Sequence, residues 1–292
     1  MTHPPRTVAV IGAGTMGSGI AAVMAGAGQR TILYDLTEDR VQRGMDFVHG
    51  FADKSVRLGK RTEAEAEAVK SSLTGVTDLG ELAGADVVVE AVFEDLEVKK
   101  DLFARLDDIV SERTLLHTNT STLSVTAIAA GSRLPERVVG THYCNPAPLM
   151  KLVELADGRH TASWAHDATL DFLSTIGKTS VVTKDRPGFI LNRFLIPWEN
   201  SCIRALESGL GTIESIDAAV TGALGHPMGP FRLLDIVGMD VHWQVSMRLY
   251  EQLRDPRFAP PPMVERMIAA GDLGRKTGRG FYNYYDTALF GA

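Results

Sequence analysis

The chain has little cysteine: Cys144 and Cys202 are the only two in 292 residues. Their separation fits neither a disulfide framework nor the close pairs that hold zinc, so a disulfide-stapled scaffold and a thiolate metal site are excluded and a reducing compartment is expected. Cys144 lies two residues from His142, and a strand would put both on one face. A thiol nucleophile is one reading and a small buried apolar residue the commoner one. Long apolar runs are also missing, so no stretch is long enough to span a bilayer. The start, MTHPPRTVAVIG, lacks a cationic segment followed by an apolar run and a cleavage site. The expected location is the cytoplasm. Nor is there an excess of positive charge: 30 Lys and Arg stand against 36 Asp and Glu, a net charge of -6. That argues against nucleic-acid binding, while a local basic patch could still hold an anionic ligand.

The chain does have enough length for two domains and a large core. Thr7 to Ile11 is a short apolar run that feeds into Gly12-Ala13-Gly14-Thr15-Met16-Gly17, and Ser18 to Ala27 continues as a small-residue helix. In this strand, glycine turn and helix, Gly12 permits the turn, Gly14 lets a pyrophosphate approach the backbone, and Gly17 lets helix and strand pack closely. A second strand, Thr31 to Tyr34, ends in Asp35. An acid there accepts hydrogen bonds from ribose hydroxyls and repels a 2′-phosphate, which favours NAD over NADP.

Leu36 to Gly59 reads as a helix with Lys54, Arg57, Lys60 and Arg61 near its end. Cations there suit the helix dipole, and the functional alternative is a patch for a phosphate-bearing substrate. Thr62 to Leu73 opens on a Thr62/Glu65 capping box and reads as a second helix. The pair is an insertion, expected as a flap over a long ligand. Val87 to Ala91 and Leu115 to Thr118 read as buried strands, with the helix Leu96 to Val110 between them. Glu94 and the run Asn119-Thr120-Ser121-Thr122 then fall at the carboxyl edge of the sheet, where they can either begin helices or meet a ligand.

Val138 to His142 is a further strand, Asn145 to Pro148 cannot continue it, and Lys151 to Leu155 alternates like a returning strand. His142 and Glu154 can then face each other. A carboxylate on one nitrogen of an imidazole fixes its tautomer and stabilises the imidazolium, which makes a general base with its orienting partner. The bland alternative is a histidine capping a strand end and a glutamate on a solvated face. Ala165 to Ile176 reads as a helix and Thr179 to Thr183 as a strand. Beyond Lys184-Asp185-Arg186-Pro187-Gly188 the composition shifts, and the boundary is placed near Arg186, giving domains 1–186 and 187–292. The second reads as all helix: Ile190 to Gly209 with a buried-looking amide, Asn192, near its start, then Ile213 to Ala223, and Leu233 to Leu253 as mostly a third. His226 falls in a stiff loop. A basic glycine-rich turn, Leu273 to Phe281, leads to Tyr282, Tyr284 and Tyr285. The fold class is therefore α/β: a Rossmann-type, doubly wound, mostly parallel sheet with a smaller all-α domain, whose apolar first helix would suit a subunit interface.

The segments GAGTMGSGIA, VEAVFEDLEVKK, TNTSTLSV, GTHYCNPAPLMKLVEL, RPGFILNR, GHPMGPFRLLDIVG and GRKTGRGFYNY, in this order and spacing, resemble the L-3-hydroxyacyl-CoA dehydrogenase family over nearly the whole chain, closest to its short bacterial 3-hydroxybutyryl-CoA members. The resemblance implies His142 as general base, Glu154 as its partner, Ser121 bonding the substrate oxygen and Asn192 as an active-site amide. It places Gly12, Gly14, Thr15, Met16, Gly17, Asp35, Glu94, Lys99, Ser121, Asn145 and Lys276 on the NAD side, and Lys54 near the coenzyme A phosphates. It implies a cytoplasmic homodimer acting on an acyl-CoA in fatty acid metabolism of the β-oxidation kind, with no metal. Thr122 and Tyr143-Cys144 stand where the family more commonly has Ser and Phe-Phe. Two other readings remain at this point: a same-fold NAD-dependent dehydrogenase of a sugar acid such as L-gulonate, and a noncatalytic NAD-binding protein.

Overall fold

The structure is a computed structural model in which residues 7–285 are described. Residues 1–6, where the reading of no leader segment begins, and residues 286–292 lie outside them. The chain divides into two compact units, Met1–Phe189 and Ile190–Ala292.

In the first unit, β1 (Thr7–Ile11) leads through the glycine turn to α1 (Thr15–Gly26) and back to β2 (Arg30–Tyr34). Two helices, α2 (Glu38–Arg57) and α3 (Glu63–Ser71), precede β3 (Leu73–Val76). Then come β4 (Val87–Glu90), α4 (Leu96–Leu106), β5 (Leu115–Thr118), α5 (Val125–Ala129) and β6 (Val138–Tyr143). The unit closes with β7 (Leu152–Asp157), α6 (Ser163–Thr175) and β8 (Thr179–Lys184). The strands form one sheet in the order β3-β2-β1-β4-β5-β6-β7-β8. All neighbours are parallel except β6 and β7. The chain winds outward from β1 to β3 and then returns to β4 on the other side, so a crevice opens at the carboxyl ends of β1 and β4.

Val8, Ala9, Val10 and Ile11 of β1 are buried, as a parallel strand covered on both faces must be. One apolar layer joins α1, α2 and α3 to the sheet through Ile20, Met24, Val48, Ala52, Ala66 and Val69. The α2–α3 pair is thus packed on α1 as part of the first unit. Its caps follow the sequence: Thr37 accepts from the Arg40 N–H, and Thr62 and Glu65 make the reciprocal capping box. The strand β3 was not foreseen, because four residues with an exposed Thr74 and a central Gly75 carry little strand signal. A side chain at Gly75 would collide with Val41 and Met45 of α2, so the glycine that hides the strand also lets the helix sit against it.

Among the described residues the second unit has helices and turns, with isolated bridges linking Gly274, Arg279 and Asn283. Its helices are α7 (Leu191–Glu207), α8 (Ile213–Leu224), α9 (Pro230–Val237), α10 (Met239–Leu253) and α11 (Pro262–Ala270). The helix expected over Leu233 to Leu253 is in fact two, broken where Gly238 takes φ 98°, a conformation that only glycine adopts readily. Ile203, Phe231, Leu234, Met239 and Val264 form its core. The terminal tyrosines are anchors: the Tyr282 hydroxyl donates to Asp217 and the Tyr284 hydroxyl to Asp235, whose carboxylate also accepts the Phe281 and Tyr282 N–H groups. Among the described residues no helix is long and apolar enough to cross a membrane.

Candidate active site

The glycine turn has the shape a dinucleotide needs. Gly12 sits at φ 102°, and a Cβ there would stand 2.6 Å from the Ala91 carbonyl oxygen. A Cβ at Gly17 would overlap the Gly12 carbonyl, whereas one at Gly14 would meet nothing within 4 Å. Gly12 and Gly17 close the turn, and Gly14 leaves the backbone open to approach. Gly14 and Thr15 are exposed and Met16 half-buried. No side chain caps α1 and its first turn carries no acid, so its N–H groups and positive dipole end suit a phosphate. Asp35 braces the turn by accepting from the Ala13 N–H at 2.8 Å, while its other oxygen accepts from Leu36 N–H at 2.7 Å and pairs with Arg40 at 3.4 Å.

A buried charge network ties this crevice to the next loop. Glu90, fully buried at the end of β4, accepts from the Val92 N–H (2.8 Å), the Lys99 ammonium (2.7 Å) and the Thr118 hydroxyl (2.7 Å). Lys99 is 1% exposed and also lies 3.1 Å from Glu94. Glu94 in turn accepts from the Thr120 hydroxyl at 2.5 Å and from the N–H groups of Ser121 at 2.8 Å and Thr122 at 3.0 Å. Burial alone would raise the Glu94 pKa. The Lys99 charge and these hydrogen bonds outweigh it and hold the carboxyl down at about 2. Burial likewise works against the Lys99 charge, and the two carboxylates overcome it, so its pKa is raised. Both carboxylates lie on this buried ammonium, which the sequence reading puts on the cofactor side. Glu90 was missed, although a charged residue ending an otherwise apolar VVVE strand was the signal.

β6 and β7 pair antiparallel with His142 opposite Glu154. The His142 Nδ1 lies 2.7 Å from Glu154 Oε2, and its Nε2 lies 3.1 Å from the Ser121 hydroxyl oxygen. His142 is 7% exposed and Glu154 1%. A carboxylate accepts only, so in the neutral imidazole Nδ1 carries the hydrogen facing Glu154, and Nε2 is left to accept from the hydroxyl. The Tyr143 N–H donates to Asn119 Oδ1 at 2.9 Å and joins the end of β6 to the loop that carries Ser121. The Cys144 thiol is pushed up to about 11, first by burial and then by the Glu154 charge, which disfavours the thiolate a nucleophile requires.

The first unit therefore gathers Gly12, Gly14, Gly17, Asp35, Glu94, Ser121, His142 and Glu154 at one edge of the sheet, with Asn145 exposed just past β6. Lys54 is exposed on the last turn of α2. Asn192 and Lys276 belong to the second unit. Asn192 is half-buried in the first turn of α7, and the fully buried amide on that helix is Asn200. Lys276 pairs with Asp240 at 2.5 Å.

A doubly wound sheet with an open glycine turn, an acid after its second strand and a hydroxyl–imidazole–carboxylate chain at its carboxyl edge defines a nicotinamide-dependent dehydrogenase. Residues 7–186 match the 3-hydroxyacyl-CoA dehydrogenase NAD binding domain, and residues 188–284 match the C-terminal domain of the same family. A 3-hydroxybutyryl-CoA dehydrogenase of Mycobacterium tuberculosis is 41% identical over 286 residues, 97% of this chain and 100% of that one. The crystal structure of FadB2 from M. tuberculosis superposes with a TM-score of 0.94 at 41% identity, covering 97% of this chain and 100% of that chain. That of (S)-3-hydroxybutyryl-CoA dehydrogenase PaaH1 from Ralstonia eutropha gives 0.88 at 37% identity, covering 96% and 99%. The chain belongs to the 3-hydroxyacyl-CoA dehydrogenase family and is an NAD-dependent dehydrogenase.

Proposed function

We propose that the protein interconverts short (S)-3-hydroxyacyl-CoA and 3-ketoacyl-CoA thioesters, such as 3-hydroxybutyryl-CoA and acetoacetyl-CoA, with His142 as the general base. The observation that carries this reading is the Ser121–His142–Glu154 chain, in which one imidazole nitrogen is committed to a carboxylate and the other meets a hydroxyl. The named activity of the relatives supports the substrate class.

The residues that would hold NAD are Gly12 to Gly17, suited to the pyrophosphate, and Asp35, suited to the ribose; the family resemblance adds Glu94, Lys99, Asn145 and Lys276 to the cofactor side. When bound, NAD supplies the hydride acceptor for oxidation of the alcohol. His142 Nε2 takes the 3-hydroxyl proton, Glu154 stabilises the imidazolium, and Ser121 bonds the reacting oxygen. Asn192 would hold the thioester side of the substrate, and Lys54 the coenzyme A phosphates. In reduction the imidazolium returns the proton. Oxidation releases a proton, so a higher pH favours the ketone. The helical unit would mediate a homodimer, and the expected setting is β-oxidation in the cytoplasm.

Initial rates with NADH and NADPH across 3-ketoacyl-CoA substrates of increasing length, with L-gulonate oxidation in parallel, test the assignment. Fastest NADH turnover with acetoacetyl-CoA and none with L-gulonate is expected. L-Gulonate turnover without acyl-CoA turnover would replace the acyl-CoA reading with the sugar-acid one.

A further inference from the structure

Phe189, the last residue of the first unit, has a backbone that its residue type resists. Its φ is 45°, in the left-handed region, directly after Gly188 at φ 78°. A glycine would take this conformation at no steric cost, and a phenylalanine persists there only because its surroundings hold it. The turn is closed by the Phe189 N–H donating to the Arg186 carbonyl at 3.0 Å. Upstream, Asp185 accepts from the Ser124 hydroxyl, the Val125 N–H and both the N–H and hydroxyl of Thr126. The segment is thus fastened to the start of α5, just beyond the loop that carries Ser121. The strained backbone delivers one thing: an aromatic ring, with the residue 5% exposed, set against His142 with ring centroids 5.8 Å apart and planes at 45°.

The two hydrogen bonds of His142 leave from opposite sides of the imidazole. They locate the ring along the line from Glu154 to Ser121, but resist a tilt about that line only weakly. A flat apolar group against the ring opposes the tilt. We propose that Phe189 is a positioning residue for His142, fixing the tilt of the imidazole between Ser121 and Glu154 so that Nε2 keeps its aim at the substrate hydroxyl. This rests on the reading of His142 as the base. Sequence reading passed over Phe189 because an apolar residue after Pro-Gly looks like ordinary core.

The test uses the full-length enzyme with NADH and acetoacetyl-CoA. Phe189→Gly removes the ring and relieves the backbone, so a defect cannot be ascribed to strain. It should lower kcat about tenfold while leaving KM and NADH affinity within about twofold, the pattern of a misplaced catalytic group. Phe189→Leu, which restores apolar bulk, should recover kcat to within about threefold of the parent. Wild-type kcat in Phe189→Gly, a matching loss of NADH affinity, or no recovery with Leu would each overturn the proposal. If Phe189→Gly does not fold, Phe189→Ala is read by the same criteria. His142→Gln is measured alongside. Retained turnover in that variant removes the general-base reading and this inference with it, whereas lost turnover together with an unaffected Phe189→Gly removes this inference alone.

Discussion

Among the described residues the molecule holds two His–Glu pairs, one in each unit, and the proposed function gives them opposite purposes. His142 and Glu154 lie at the carboxyl edge of the sheet, and the second imidazole nitrogen meets a hydroxyl, a group that can give or accept a proton. His242 and Glu199 lie in the helical unit, 1% and 2% exposed, with Nδ1 3.1 Å from the carboxylate and Nε2 2.9 Å from the Asn200 amide oxygen. Neither nitrogen of His242 meets a hydroxyl: Nε2 faces an amide oxygen, and Nδ1, though near the carboxylate, makes no aligned hydrogen bond. Asn200 in turn donates toward Ser246 and the carbonyls of residues 257–259, which makes the pair part of a sealed clamp between α7, α10 and the loop after α10. A histidine beside a glutamate does not mark a catalytic site. On the proposed function, access and the third neighbour do.

The comparison can be broken by making the same change in both pairs. Glu154→Gln should reduce kcat about a hundredfold or more, because the amide can neither fix the tautomer nor stabilise the imidazolium, and NADH binding measured by fluorescence should be retained. Glu199→Gln should leave kcat per folded molecule within about twofold. His242→Ala strands a carboxylate in the helical core and should cost about 3 kcal/mol in denaturant unfolding, with kcat again little changed. A large loss of kcat in either second-unit variant, with folding intact, would erase the distinction.

The glycine turn offers a finer contrast. Gly17→Ala forces a methyl onto the Gly12 carbonyl and should lower both Tm and NADH affinity, whereas Gly14→Ala opens into free space and should leave Tm within about a degree while weakening NADH about tenfold. Equal losses of Tm would show that both glycines serve packing alone. The smallest effect is acid sensitivity. Glu94 is held at about 2 against an ordinary 4.5, so its contribution is fully present above about pH 4.5 and lost as pH falls toward 2. At most about 3 kcal/mol is involved, and Glu94→Gln should flatten stability over that window when denaturant midpoints are compared at pH 5 and pH 2.5.

The pieces legible in the sequence were those whose pattern is local. The strand, glycine turn and helix of Thr7 to Gly26 announce themselves by composition, and the Pro-rich break between Tyr143 and Leu152 implied a returning strand. The short β3 was hidden because its stability comes from pairing with β2 and from contact with α2, neither of which the four residues encode. The break at Gly238 was missed because a single glycine inside an apolar helical pattern is often tolerated. Asn192 was chosen as the buried amide where Asn200 is, since two polar residues on one helix differ in burial only through what packs against them. Glu90 and Lys99 form a charge network that joins β4, α4 and β5, a nonlocal arrangement visible only once the sheet is assembled.

The proposed function turns on the His142 imidazole moving the proton. Its most direct test is the single-turnover rate of NADH oxidation by acetoacetyl-CoA in His142→Ala, at saturating NADH and with NADH affinity measured separately. Unchanged NADH affinity and a rate lower by about two to four orders of magnitude are expected. A rate within a few fold of the parent enzyme would contradict it.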